Sequence, residues 1–164
     1  MSFHIAPNPH ATFVSTQDQV IANPTLAQVV TFNTTINANG ITLVGGTKVT
    51  LPQIGNYSFA VSAVVDNPGQ ASAKKASMWF RKNDVDVPYS NTYLSVSKDN
   101  TTVLAVVFNL ECTTIGDYYE LWWSGEVNTV QLDAFAAVPG TVPATFPPTQ
   151  PASPSIVLAV CQIG

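Results

Sequence analysis

The side chains best equipped for chemistry are acidic. Asp84 and Asp86 stand two apart in "NDVDVP", a spacing that suits paired carboxylates or the opening ligands of a calcium loop. No EF-hand spacing or Gly-Glu completion follows, as an oxygen cage of that type requires. A polar hairpin tip accounts for the pair. Glu111, Asp117, Glu120, Glu126 and Asp133 contain enough carboxylates for a glycosidase, but acids scattered over strand-like sequence are an ordinary background. Nucleophilic catalysis needs an imidazole within reach of a Ser or Cys. Both histidines, His4 and His10, fall in the first ten residues. Cys112 and Cys161 form no CxxC and lack metal-ligand spacing. They read as two small buried hydrophobes, with a disulfide open only if their strands are neighbours. No glycine-rich phosphate cradle precedes a helix. The expectation is a protein without catalytic residues, metal or cofactor.

The other candidate chemistry is aromatic. "DYYELWWSG" (117–125) carries Tyr118, Tyr119, Trp122 and Trp123 within six positions. Alternate side chains of a strand face opposite sides. Tyr119, Leu121 and Trp123 therefore form a core face, and Tyr118, Glu120, Trp122 and Ser124 the other. The second set suits a subunit interface, where Tyr and Trp are enriched. A sugar platform would want more hydrogen-bonding neighbours than Glu120. In "NYSFAVSAV" (56–64) the face carrying Ser58, Ala60 and Ser62 is small enough for close packing. The set expected at the interface is thus Tyr118, Glu120, Trp122, Ser58, Ala60 and Ser62.

The elements that must position these residues are strands. Helical periodicity is nearly absent, while β-branched and aromatic runs recur between turns such as "ANG", "VGG", "DNPG" and "TIGD". The runs are 11–16, 27–33, 40–44, 47–51, 56–65, 76–83, 87–97, 101–113, 118–125, 129–137 and 155–163. Such a rhythm indicates a β-sandwich or barrel. "VPGTVPATFPPTQPASP" (138–154), with six prolines, breaks it. The segment is expected to run as an extended loop over the surface, because the apolar strand after it must return to the same sheets. Residues 1–10 read as an extended N-terminal arm and 11–164 as a single domain.

Charge bounds the partners. Only 16 of 164 residues are Asp, Glu, Lys or Arg, 10% against about 25% in an average soluble domain. Hydrophobic residues make up 46% and mean hydropathy is +0.19. A surface so poor in charge is expected to be covered by other subunits. The net charge of −4 excludes a nucleic-acid partner, which needs a basic stripe. No apolar run is long enough to span a bilayer as a helix, and the N-terminus lacks the pattern of a secretory signal. The sequons at Asn33, Asn56 and Asn100 read as polar strand residues.

Together "IGNYSF" (54–59), "MWFRKNDVDVPYSNT" (78–92), "GDYYELWW" (116–123) and "PSIVLAVCQIG" (154–164) resemble the jelly-roll domains of the complement-globular-head and tumour-necrosis-factor-like superfamily, in versions common among bacteriophage virion proteins. The resemblance spans nearly the whole chain through the order of its motifs. One departure is Asp84 where the family's hairpin has glycine, which predicts a surviving hairpin with a shifted turn type. The resemblance implies an all-β, ten-stranded jelly-roll β-sandwich that forms homotrimers. The leading reading is a virion structural protein, a capsid decoration or cement protein partnered by the major capsid protein and neighbouring decoration trimers. Phe3, His4, Ile5, Pro7 and Pro9 of the arm are the candidate capsid contacts. The chain is read as lacking the shaft that a tail fibre carries. The alternative is a receptor- or carbohydrate-binding fibre tip, with Tyr89, Tyr93 and Phe146 as loop aromatics facing a glycan.

Overall fold

A computed structural model of the 164-residue chain describes residues 8–69, 71–137 and 151–164. Its strands begin with β1 (His10–Ser15), β2 (Gln19–Val20), β3 (Gln28–Val29), β4 (Thr34–Asn39), β5 (Thr42–Val44), β6 (Lys48–Thr50) and β7 (Gly55–Asp66). They continue with β8 (Lys74–Lys82), β9 (Val85–Asp86), β10 (Thr92–Val96), β11 (Thr101–Cys112), β12 (Tyr118–Gly125), β13 (Gln131–Leu132) and β14 (Ile156–Gln162). Ten of these reach three residues or more, as the ten-stranded expectation requires; β2, β3, β9 and β13 are two-residue ladders. There is no helix among the described residues.

The strands form two sheets. In sheet A the order is β2-β13-β7-β14-β1-β4, with β11 also paired to β7. Sheet B runs β10-β8-β12-β6-β5, with β3 added to β12 and β9 to β8. Alternation dictates the packing between them. β7 sends Tyr57, Phe59, Val61, Ala63 and Val65 inward; β12 answers with Tyr119, Leu121 and Trp123, and β8 with Ala76, Met78 and Phe80. Phe59 bridges the layers, its ring centroid 5.3 Å from Phe80 and 5.0 Å from Tyr119. Inclined pairs of this kind add about 0.5–1.5 kcal/mol beyond the area they bury.

A polar staple also joins the sheets. The turn from β11 into β12 ends at Asp117, whose carboxylate is buried. Its Oδ2 accepts the backbone N–H groups of Thr113 (2.8 Å) and Thr114 (3.0 Å) and faces Lys82 Nζ at 2.8 Å. Its Oδ1 accepts Asn83 Nδ2 at 2.8 Å. Burial works against the charge, but the bonds from Lys82, Asn83 and the two backbone amides outweigh it and hold the carboxyl far below the usual carboxylate range. From sheet B, Lys82 also donates to Glu111 O on sheet A at 2.8 Å.

Three local features differ from the sequence reading. β4, "TTINAN", lies in a stretch with no strand pattern, because it is a polar edge strand whose one large apolar residue, Ile36, faces solvent. Of the run 27–33 only Gln28–Val29 pairs with β12 as a ladder. The β8–β9 hairpin does survive, but without a shifted turn. Asn83 and Asp84 have φ of 49° and 68°, and Lys82 pairs with Val85 around them. Two positive φ values in a two-residue loop are the signature of a type I′ turn, so Asp84 adopts the conformation expected of glycine.

At Gly55 the requirement for glycine is absolute. Its φ is +143°, and a Cβ there would lie 2.4 Å from Gly164 O and 2.7 Å from Gln162 Nε2. That contact seats the end of β14 against the start of β7.

Candidate functional site

The sandwich has two outer faces, and the residues singled out in the sequence divide between them. On sheet A the register sets outward-pointing residues side by side across β1, β14, β7 and β11. One row reads Thr12, Ala159, Ala60, Val107, and the next Val14, Val157, Ser62, Ala105. A third row reads His10, Cys161, Ser58, Asn109. None of these residues is Asp, Glu, Lys or Arg. Ser58 and Ala60 are half-buried and Ser62 is exposed, while Val103 and Val107 of β11 are 58% and 62% exposed. Short side chains make this face flat. Beyond it, β11 pairs only with β7 among the described residues, so its far edge is open.

Sheet B presents the opposite chemistry. Tyr118, Glu120, Trp122 and Ser124 of β12 lie outward beside Arg81, Trp79 and Ser77 of β8. Arg81 stacks over Trp122 with its guanidinium carbon 4.6 Å from the ring centroid, and Lys48 Nζ sits 4.3 Å over Tyr118. Glu120 is buried beneath this layer, accepting Thr47 Oγ1 at 3.0 Å and Trp122 Nε1 at 3.4 Å. Tyr118 donates its hydroxyl proton to Asp84 Oδ2 at 2.7 Å. The aromatics are thus held by charged partners, each ring already matched to a cation or a carboxylate.

The six residues expected to share one interface therefore do not meet. Ser58, Ala60 and Ser62 face out from sheet A, whereas Tyr118, Glu120 and Trp122 face out from sheet B, across the full thickness of the sandwich. Tyr89 and Tyr93 sit on the sheet B side, both strongly exposed. Phe146, Phe3, His4, Ile5 and Pro7 lie outside the described residues. Pro9 is buried, and its carbonyl accepts the Gln162 N–H at 2.9 Å, so this end of the expected arm is docked on β14.

The acids considered for catalysis are also dispersed. Asp84 and Asp86 flank a hairpin, and Asp86 Oδ1 accepts Trp79 Nε1 at 2.9 Å. Asp117 is the inter-sheet staple. Glu126 sits 3.5 Å from Lys74 and accepts the Lys75 N–H at 3.0 Å. Among the described residues, no three His, Cys, Asp or Glu side chains group as metal ligands. Cys112 is buried on the inner side of β11 and Cys161 is exposed on the outer side of β14; both are free thiols. For Cys161 this overturns the buried reading, since the outward positions of β14 face away from the core.

No protein-family profile matches the sequence, and no curated protein matches it. Solved structures do resemble the fold. The globular domain of zebrafish complement 1qA protein aligns over 96% of this chain and 98% of its own, with 15% identity and a TM-score of 0.56. Murine APRIL aligns over 95% and 99%, with 12% identity and a TM-score of 0.51. The chain is an all-β jelly-roll sandwich of the complement-globular-head and tumour-necrosis-factor-like fold.

Proposed function

We propose that this chain is a non-enzymatic structural protein of a virion, a homotrimer that decorates and stabilises a phage head. The observation that supports it best is the outer face of sheet A. That face carries three rows of mostly short side chains without Asp, Glu, Lys or Arg, ending at β11, whose outward Val103 and Val107 are exposed and whose far edge is open among the described residues. Face and edge are different surfaces, so a contact between the face of one copy and the edge of the next is heterologous, and such contacts generate rings when the rotation closes. Three copies then bury these rows along a common axis. The major capsid protein and neighbouring trimers are the remaining partners. A trimer bridging capsid subunits stabilises them by binding only the assembled form. The proposal for capsid partners follows the likeness of the sequence motifs to virion jelly rolls.

A second placement, at the tip of a fibre, uses the same trimer and is favoured by the exposed aromatics of sheet B. Cryo-electron microscopy of the virion separates the two. Density of this shape at three-fold positions of the head is expected. Bare capsomers with density only on fibres would transfer the protein to host recognition. Sedimentation of the purified protein as a monomer would remove the assembly itself.

A further inference from the structure

On the outer side of sheet B, a groove of about 300 Å³ opens between the β8–β12 ladder and the loop after β9. Ser77, Trp79, Asp86, Tyr89, Asn91 and Ser124 line it. We propose that it is a binding site for a neutral hexopyranose. This deepens the second placement above, and it requires from the trimer reading only that sheet A be the covered face.

Tyr89 makes the strongest argument. Its side chain is fully exposed, so the ring contributes no packing to the fold. Its φ is +62°, a left-handed conformation that a bulky residue rarely adopts. Strain of that kind persists where the surroundings impose it, and it clusters at ligand sites. The strained backbone sets an aromatic ring at the mouth of a groove whose lining includes a second one, Trp79. Two π faces bordering a cleft of this size suit the C–H faces of a pyranose ring.

The remaining lining supplies hydrogen bonds. Asp86 Oδ1 accepts Trp79 Nε1 at 2.9 Å, and Arg81 Nε lies 3.1 Å away as an ion pair whose angle falls outside hydrogen-bond geometry. These contacts fix the carboxylate and leave Oδ2 without a protein donor among the described residues. A carboxylate oxygen accepts readily from sugar hydroxyls. Ser77 and Ser124 hydroxyls are 2.9 Å apart, a pair with one proton and several lone pairs to spare. Asn91 adds an amide that both donates and accepts. Arg81 already answers Asp86, so no free cation lines the groove for an anionic sugar. A small apolar surface with a few convergent polar groups is the general form of a small-ligand site. Each site alone is shallow, and three on one trimer act together on a glycan-coated surface.

The test follows the Trp79 indole N–H by NMR on the intact protein. The titrants are the methyl glycosides of glucose, galactose and mannose, together with N-acetylglucosamine. The expected result is a saturable shift with at least one sugar. Tyr89→Gly, which removes the ring where glycine suits the backbone, and Asp86→Asn should each weaken binding about 10-fold, or about 1.4 kcal/mol. No shift with any sugar at about 0.1 M, enough to fill a site of millimolar Kd, overturns the site. So does Tyr89→Gly binding as tightly as the parent. Sedimentation of the same samples keeps the two readings apart: a monomer that binds sugar retains the groove and loses the assembly, and a trimer that binds none does the reverse.

Discussion

The two outer faces of this sandwich share strand geometry and differ in what the side chains ask of their surroundings. On sheet B, the large rings facing out from β8 and β12 each have a partner: Arg81 over Trp122, Lys48 over Tyr118, Asp86 on the Trp79 indole. Those rings need no covering subunit to be satisfied in water. On sheet A, Ala60, Ala159, Ala105 and Val107 have neither a charge nor a polar group to engage. It is a face that gains from being covered. Aromatic residues drew attention to sheet B in the sequence, yet the self-satisfied face is the aromatic one and the needy face is made of alanine, serine and valine.

Substitutions can break this contrast. The largest effect is expected from Ala60→Glu, at the middle of the sheet A face. Introducing three like charges into one closed interface costs several kcal/mol, so light scattering should show monomers that keep the far-ultraviolet β spectrum. A trimer of unchanged mass would place the interface elsewhere.

Next comes Asp117→Ala, which removes the staple joining the sheets. Losing charge-assisted bonds to Lys82 and two backbone amides should cost about 3 kcal/mol, measured by denaturant unfolding. The pH dependence has a definite sign. The folded carboxyl is held below its unfolded value, so its contribution is fully present above about pH 4 and is lost as pH falls through the folded value. The parent should therefore lose stability on acidification below about pH 4, and Asp117→Asn should show a flatter profile there. Equal slopes would mean that the staple titrates as a free carboxylate.

Trp122→Ala sharpens the comparison from the other side. It removes one stacked cation and some half-buried surface, and should cost about 1–2 kcal/mol while leaving the oligomer intact. Dissociation on this change would return Trp122 to the interface at which the sequence placed it. The smallest effect is a gain. Tyr89→Gly relieves a left-handed backbone and should raise stability by about 1 kcal/mol, read as a higher Tm. A lower Tm would show that the Tyr89 ring packs on something in the assembly.

The split between the faces explains what the sequence disclosed. Period two correctly sorted Tyr119, Leu121 and Trp123 from Tyr118, Glu120 and Trp122, because alternation is local to one strand. The same logic sorted Ser58, Ala60 and Ser62. What period two cannot supply is the sheet to which a strand belongs, since that depends on pairings with distant segments. The residues grouped for the interface therefore come from two outward faces. β4 was missed for a related reason: an edge strand with both faces near water has no alternation to detect. The strained φ of Tyr89 has no signature in composition, and only the surrounding loop imposes it.

The order of pairing has a kinetic consequence. β8, β9, β10 and β12 of sheet B come from one stretch of chain, residues 74–125. Sheet A instead pairs His10 with Cys161 and places β14 between β1 and β7. Contacts between such distant segments form slowly, because a long loop must close before they repay it. The rows Thr12–Ala159–Ala60 and Val14–Val157–Ser62 do not exist as a surface until β14 has inserted. On the proposed assembly, a chain without β14 in place would offer no such face. If sheet A is the assembly face proposed above, copies in which β14 has not docked would be kept out of the oligomer, because β14 completes the surface that would meet another copy.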